Sequence, residues 1–245
     1  MSIHDDDGVG RILSRRELIA LLGAAGAGAL VGVPGLTRLD AQVPGCVVVP
    51  AQMEGPYFVD ARLNRSDIRT DPSDKAVSPG VPLRVAFRVS QMSAAGTCGP
   101  LAGALVDLWQ CDALGVYSDF ADTTAKFDAR GKKFLRGYQV TDAKGLVEFT
   151  TIYPGWYPGR AVHLHFKVRT NPNGPRGTDF TSQLYFDEAV TDRVHARAPY
   201  ASKGRRTTMN EADGIFKDGG RQLMLKLTES ANNVAGTFEM AVKLA

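Results

Sequence analysis

From about residue 80 onward, the chain alternates apolar and polar side chains in short runs separated by turn residues. Residues 81–90 (VPLRVAFRVS) are the clearest case, with Val81, Leu83, Val85, Phe87 and Val89 on one side and Arg84 and Arg88 on the other. A period of two is what a strand with one buried face requires. Comparable runs at 104–111, 146–152, 162–170, 181–186, 222–229 and 237–244 predict further strands. Asp142-Ala-Lys-Gly145 and Asn171-Pro-Asn-Gly-Pro175 supply turns between them. No stretch beyond the N-terminal segment sustains a capped 3.6-residue period, so crossover helices are not expected. Many short strands without such helices imply an all-β fold, an antiparallel β-sandwich with long connecting loops. Residues 200–220, polar and Gly-rich, read as one of those loops, lying on the surface. No internal repeat or linker divides the region from 45 to 245.

Composition adds a compartment and removes one class of partner. At 245 residues, with 44% hydrophobic and 22% charged, the chain fits one globular domain plus a leader. The net charge of +3 is small and its Lys and Arg are scattered, so nucleic acid has no electrostatic footprint here. Arg15-Arg16 precedes an uncharged run over 18–36, an export-signal arrangement that resembles a twin-arginine signal. That run could just span a bilayer, but Gly and Ala dominate it and Pro34 interrupts it. The expectation is a removable signal at 1–41, a folded domain at 42–245, a periplasmic or secreted location, and no membrane span after cleavage. Cys46, Cys98 and Cys111 remain. In an oxidising compartment a Cys46–Cys98 bridge is expected, with Cys111, in an apolar strand, as a buried free thiol.

The candidate chemistry lies in residues 153–165, YPGWYPGRAVHLH. The chain has four histidines, and two of them, His163 and His165, stand at i and i+2. On a strand such side chains share a face about 6.5–7 Å apart, so both could reach one metal ion while Leu164 and Phe166 turn to the opposite face. Two strand histidines satisfied by backbone are the bland alternative. A cupin-type site needs a carboxylate where this chain has Val168 and Arg169, and that reading fails. A two-histidine, one-carboxylate iron site would have to recruit Asp187 or Glu188. Zinc would ordinarily take Cys or carboxylate. The abundant oxygen donors nearby are phenols: Tyr117, Tyr138, Tyr153 and Tyr157. A phenol ionises near pH 10 and ligates as phenolate only to a strongly Lewis-acidic cation, such as ferric iron.

Several segments resemble the intradiol ring-cleavage dioxygenases, the family of catechol 1,2- and protocatechuate 3,4-dioxygenase. They are Glu54-Gly-Pro-Tyr-Phe-Val-Asp60, the stretch from Leu101 to Ser118 (LAGALVDLWQCDALGVYS), Phe134-Leu-Arg-Gly-Tyr-Gln139 with Thr141-Asp142, and Thr151 to His165. Together they span about 45–190 in the family's order, with the closest likeness to an exported branch. The resemblance implies one non-haem Fe(III) per chain, held by Tyr117 of Gly115-Val116-Tyr117, Tyr157 of Pro154-Gly155-Trp156-Tyr157, His163 and His165. Tyr157 would be the exchangeable phenolate. It also implies that Arg160 stabilises charge developing on the bound diol ring and that Gln183 lies beside that arginine. Tyr153 and Tyr138 are expected to be packing or substrate-wall residues, with Tyr153 the rival ligand, and His195 a loop residue.

The implied reaction inserts both atoms of O2 into a catechol-type diol and cleaves the ring between the hydroxylated carbons. The implied partners are therefore a small aromatic diol and O2. The well-studied cytoplasmic members carry an N-terminal helical region or a partner subunit for which little chain is available here, so the oligomeric state stays open. Two rival readings compete. One is an exported β-sandwich binding module for carbohydrate or envelope material, with Trp156, Tyr153 and Phe120 as a stacking platform. The other is a non-catalytic metal-binding protein using His163 and His165 alone.

Overall fold

In a computed structural model, which describes residues 47–123, 126–170, 177, 179–230 and 233–243, the alternating runs become strands. They are β1 (Pro82–Met92), β2 (Cys98–Pro100), β3 (Leu105–Trp109), β4 (Ala121–Asp122), β5 (Phe127–Asp128), β6 (Arg136–Val140), β7 (Leu146–Ile152), β8 (His163–Arg169), β9 (Asp179–Tyr185), β10 (Leu227–Glu229) and β11 (Val234–Lys243). Helices α1 (Glu188–His195) and α2 (Gly214–Lys217) lie between β9 and β10.

β1 is the spine of one sheet. It pairs in parallel with β11 along one edge, while β7 and then β2 pair antiparallel with it, and β10 extends the far side of β11. The second sheet is antiparallel throughout, in the order β6-β3-β8-β9. The alternation in β1 buries Leu83, Val85, Phe87 and Val89 completely and leaves Arg84 exposed. Phe87 meets Phe166 of the other sheet at 5.2 Å between ring centroids, with Phe149 and Phe238 around them at 6.2 and 6.3 Å from Phe87. The core is therefore the layer between the sheets, as a sandwich requires. Leu164, Phe166 and Val168 of β8 are fully buried on one face and His163 and His165 on the other, so the strand is covered on both faces.

Several expectations are corrected. The strand expected at 222–229 forms only over Leu227–Glu229, because a 3₁₀ turn occupies Gly220–Leu223. Residues 200–220 are not a plain surface loop: 3₁₀ turns at Tyr200–Lys203 and Asn210–Ala212 and helix α2 bury Tyr200, Asn210, Asp213 and Phe216. Helix α1 was not expected at all. Asp187 caps it, accepting from the backbone N–H groups of Ala189 and Val190, but only Thr191 and Val194 are buried, too few to print a helical period. Strand β6 was missed as well, since Gly137 interrupts its pattern. A Cβ there would lie 2.9 Å from Ile68 Cγ2, so the crossing of residues 63–68 requires glycine.

Cys98 is disulfide-bonded, whereas Cys111 is free and buried. Cys46, the signal expected at 1–41 and the turn expected at 171–175 lie outside the described residues. Among the described residues no helix is long and apolar enough to cross a membrane.

Candidate metal centre

The register of the second sheet assembles one face of the site. Arg136, Trp109, His165 and Gln183 are successive cross-strand partners on β6, β3, β8 and β9, and His163 stands opposite Tyr185. Cross-strand partners share a face, so these side chains form a patch on the side of the sheet away from the Phe87 core. Trp109 stacks flat on His165, with centroids 5.0 Å apart and planes 8° apart, and so fixes that imidazole.

The two candidate tyrosines reach this patch from two turns that touch each other. After β3, Asp112 Oδ1 accepts from the N–H groups of Leu114 and Val116 (2.9 Å each), and Gly115 adopts φ +82°, closing the turn that presents Tyr117. Gly155 N–H donates to Asp112 C=O at 3.0 Å, which joins the second turn, the one leading to Tyr157, to the first. Both glycines are demanded by this contact. A Cβ on Gly115 would fall 2.4 Å from Trp156 O, and one on Gly155 2.4 Å from Ala113 O. The Gly-x-Tyr and Pro-Gly-x-Tyr spacings thus let two backbones approach closely enough to bring two phenols together.

Four donors converge there. Tyr157 Oη lies 3.0 Å from His163 Nε2, and His163 Nε2 lies 3.1 Å from His165 Nε2. The Tyr117 and Tyr157 rings meet edge to face with centroids 5.8 Å apart. His163 Nδ1–H donates to Ala161 C=O at 2.7 Å, which directs the Nε2 lone pair into the centre. Tyr117 Oη is buried and has no hydrogen-bond partner. Burial, with the charge of Arg160 as a further cause, pushes His163 down to about 3, and His165 lies well below the usual histidine range. Burial likewise raises Tyr117 well above the ordinary phenol value, with Tyr157 adding to the effect, and raises Tyr157 against the pull of Arg160. The imidazoles are therefore neutral and ready to donate, and each phenol needs a strong positive charge to ionise. An orphaned buried hydroxyl beside two facing imidazole nitrogens fits a hard, highly charged cation such as Fe(III). Among the described residues, no group of three or more His, Cys, Asp and Glu could hold a metal ion.

Arg160, on the turn between Tyr157 and β8, points into the same space. Its Nε donates to Asp213 Oδ2 at 2.9 Å and its Nη2 to Gln183 Oε1 at 2.5 Å, while Nη1 lies 3.5 Å from His163 Nε2. Gln183 in turn donates from Nε2 to Met53 C=O at 3.0 Å. The six residues singled out in the sequence are thereby gathered in one place.

The others are not. Tyr153 is fully buried on the far side of its turn, with its hydroxyl 2.7 Å from Thr191 Oγ1. Tyr138 sits beside Phe58 and Leu63, at the end of the sheet face carrying Asp107. His195 ends helix α1 rather than lying in a loop, and its Nε2–H donates to Pro154 C=O at 3.0 Å, bracing the Tyr157 turn from behind. A stacking platform of Trp156, Tyr153 and Phe120 does not form, because Tyr153 is 0% and Trp156 8% exposed. Sequence reasoning missed Asp213, for which only the Asp-Gly turn signal was available. It also gave no role to Tyr57, which stacks on Tyr117 at 4.2 Å and 13°.

Comparison with known proteins identifies relatives of the chain. A family model described as Dioxygenase (Dioxygenase_C) matches residues 53–240. Catechol 1,2-dioxygenase 1 of Acinetobacter lwoffii is 28% identical over 141 residues, 49% of this chain and 44% of that protein. The protocatechuate 3,4-dioxygenase beta chain of Burkholderia cepacia is 32% identical over 149 residues, 55% of this chain and 60% of that one. The chain spans about half the length of the curated relatives it matches. Among solved structures, an intradiol ring-cleavage dioxygenase from Tetranychus urticae superposes with a TM-score of 0.69 at 32% identity, covering 81% of this chain and 95% of the other.

Proposed function

This chain belongs to the intradiol ring-cleavage dioxygenase family, and on that premise we propose that it is an Fe(III)-dependent dioxygenase of catechol-type diols. The reaction adds both atoms of O2 across the bond between the hydroxylated ring carbons, converting a catechol to a muconate-type diacid. The observation that carries the reading is the convergence of two phenols and two neutral imidazoles, with Tyr117 Oη buried and unpartnered.

Tyr117, Tyr157, His163 and His165 would hold the ion. When bound, ferric iron supplies Lewis acidity, drawing electron density from the diolate so that the ring carbon can react with O2. The protein does the rest. Tyr117 is fully enclosed and Tyr157 only partly, so Tyr157 is the phenol able to swing away. As Tyr157 Oη swings away it would take up one of the diol's two protons, and the second would pass to hydroxide from solvent, so no further side chain is needed as a base. Trp109 and the Ala161 carbonyl hold the two imidazoles in place. Tyr57 and Phe120, packed edge to face at 5.2 Å, shield the Tyr117 side from water. Arg160 Nη1 faces the centre and stabilises negative charge as it develops on the ring, an electrostatic effect of the kind worth a few kcal/mol per well-aimed donor.

The Arg15-Arg16 leader supports export, and fractionation of a tagged full chain tests it, a wholly cytoplasmic product refuting it. For the activity, iron-loaded protein is expected to show broad visible absorption from tyrosinate-to-iron charge transfer. It should also consume O2 with at least one member of a panel of catechols, yielding the intradiol diacid. Iron-loaded protein that is colourless and inert across the panel refutes the assignment.

A further inference from the structure

Among the residues buried by the segment expected to be a surface loop is one carboxylate, Asp213. Asp213 is 1% exposed, although its neighbour Gly214 and nearby Glu211 are exposed. Its carboxylate is fully committed. Oδ2 accepts from Arg160 Nε and from Ala161 N–H, both at 2.9 Å, and Oδ1 accepts from Ile215 N–H at 2.8 Å. Two of those three donors belong to the turn that leads into the His163 strand. Arg160 sits where no regular structure holds it: Pro158 and Gly159 are exposed and β8 has not yet begun. A free arginine there would have five N–H donors and many rotamers. Asp213 occupies Nε and Gln183 occupies Nη2, which leaves Nη1 as the group turned toward His163.

We propose that Asp213 is a positioning residue for ring cleavage: it orients the Arg160 guanidinium so that Nη1 faces the diol-binding space. The inference rests on the function proposed above and extends it to residues 210–217, which become part of the site's outer wall. The same segment is tied in a second time, because Gln52 Nε2 donates to Ile215 C=O and Asp218 C=O at 2.8 Å while Gln52 Oε1 accepts from Tyr185 Oη at 3.0 Å. Asp213 itself touches neither the metal ligands nor the expected ring position. It acts through Arg160, and its loss should be felt only while Arg160 is present.

The test compares wild type, Asp213→Asn, Asp213→Ser, Arg160→Ala and the Arg160→Ala/Asp213→Asn double variant. Turnover is expressed per bound iron, beside KM, melting temperature and the position of the visible band. Asp213→Asn is expected to lower kcat per iron about tenfold or more, with little change in KM or band position, because the lost contact matters mainly in the transition state. The double variant is expected to be no slower than Arg160→Ala alone, as for two residues acting in series. A readout independent of activity is hydrogen exchange at Arg160 Nε–H in metal-free protein, followed by NMR, which should speed up about tenfold or more in Asp213→Asn once that buried hydrogen bond is lost. Unchanged exchange refutes the clamp. So does a double variant slower than Arg160→Ala by the full Asp213→Asn factor, since that is the signature of a merely structural residue. Absence of ring cleavage by wild-type protein would count against the proposed function alone, and the exchange measurement would still decide the role of Asp213.

Discussion

Two phenols sit at the centre, and their environments separate their roles. Tyr117 Oη is enclosed and unpartnered, whereas Tyr157 Oη is half-buried and bonded to His163. A buried hydroxyl without a partner carries a desolvation penalty that its removal relieves. Tyr117→Phe is therefore expected to leave the metal-free protein as stable as wild type or more so, by up to about 1–3 kcal/mol, while lowering retained iron and bleaching the visible band. Melting of the apo form and iron analysis check both halves. Tyr153→Phe should behave in the opposite way. Losing the bond to Thr191 should cost about 1 kcal/mol of stability with no change in iron content. The placement of the imidazoles was legible from spacing: His163 and His165 share a face because the pleat has period two. The separate fates of Tyr153 and Tyr157 came only from the family resemblance, since the irregular turn between them gives no rule for direction.

At the level of elements, the site depends on two turns packed backbone to backbone through Gly115 and Gly155. Gly155→Ala would place a Cβ 2.4 Å from Ala113 O and 2.5 Å from Asp112 O, where no flexible side chain can yield. The turns must then part. Destabilisation of about 1–3 kcal/mol is expected, and iron retention should fall with it because Tyr117 and Tyr157 ride on the separated turns. Gly131→Ala, at a positive φ that Gly155 does not have and with nothing within 4 Å of its Cβ, is the control, expected to lose stability through backbone strain alone and to keep its iron. Strands with one buried face, such as β1 and β7, were legible from alternation. Helix α1 was not, with two buried residues in eight, and β6 was hidden by the glycine its neighbour requires.

Across the whole molecule, buried carboxylates couple the fold to pH. Burial alone would raise Asp71, but its Oδ1 accepts from Ser73 N–H (2.8 Å) and Ser73 Oγ (2.6 Å), and its Oδ2 from Lys133 N–H (2.7 Å). These bonds win and hold it below the ordinary aspartate value. A group lowered in the folded state contributes stability that is present above its unfolded pKa and is lost as pH falls through its folded one. The Asp71 contribution should therefore be intact at neutral pH and fade below about pH 4. Asp71→Asn is expected to lower stability at pH 7 by about 1–2 kcal/mol and to converge with wild type as the solution is acidified, as melting temperatures across that range would show. Asp107 runs the other way. Burial pushes it up to about 6 even though Arg169 donates to it at 2.8 and 2.9 Å, so its contribution lowers stability as pH rises from about 4 to 6. A difference between Asp71→Asn and wild type that stays constant down to pH 2 would contradict the assignment.

By itself, the sequence determined what is local or periodic. Alternation set the all-β class and the strand faces, a two-residue interval put both imidazoles on one side of β8, and the shortage of nearby acids and thiols favoured phenolate ligation. Periodicity and composition did not say which phenols meet the histidines, for which the sequence offered only a family resemblance, and only the tertiary structure brought Asp213, 53 residues after Arg160, into hydrogen-bonding contact with it. The physical reason is separation along the chain. A pleat fixes the direction of neighbours within a strand, whereas contacts between distant turns exist only once the sheets have packed and the intervening loops have closed.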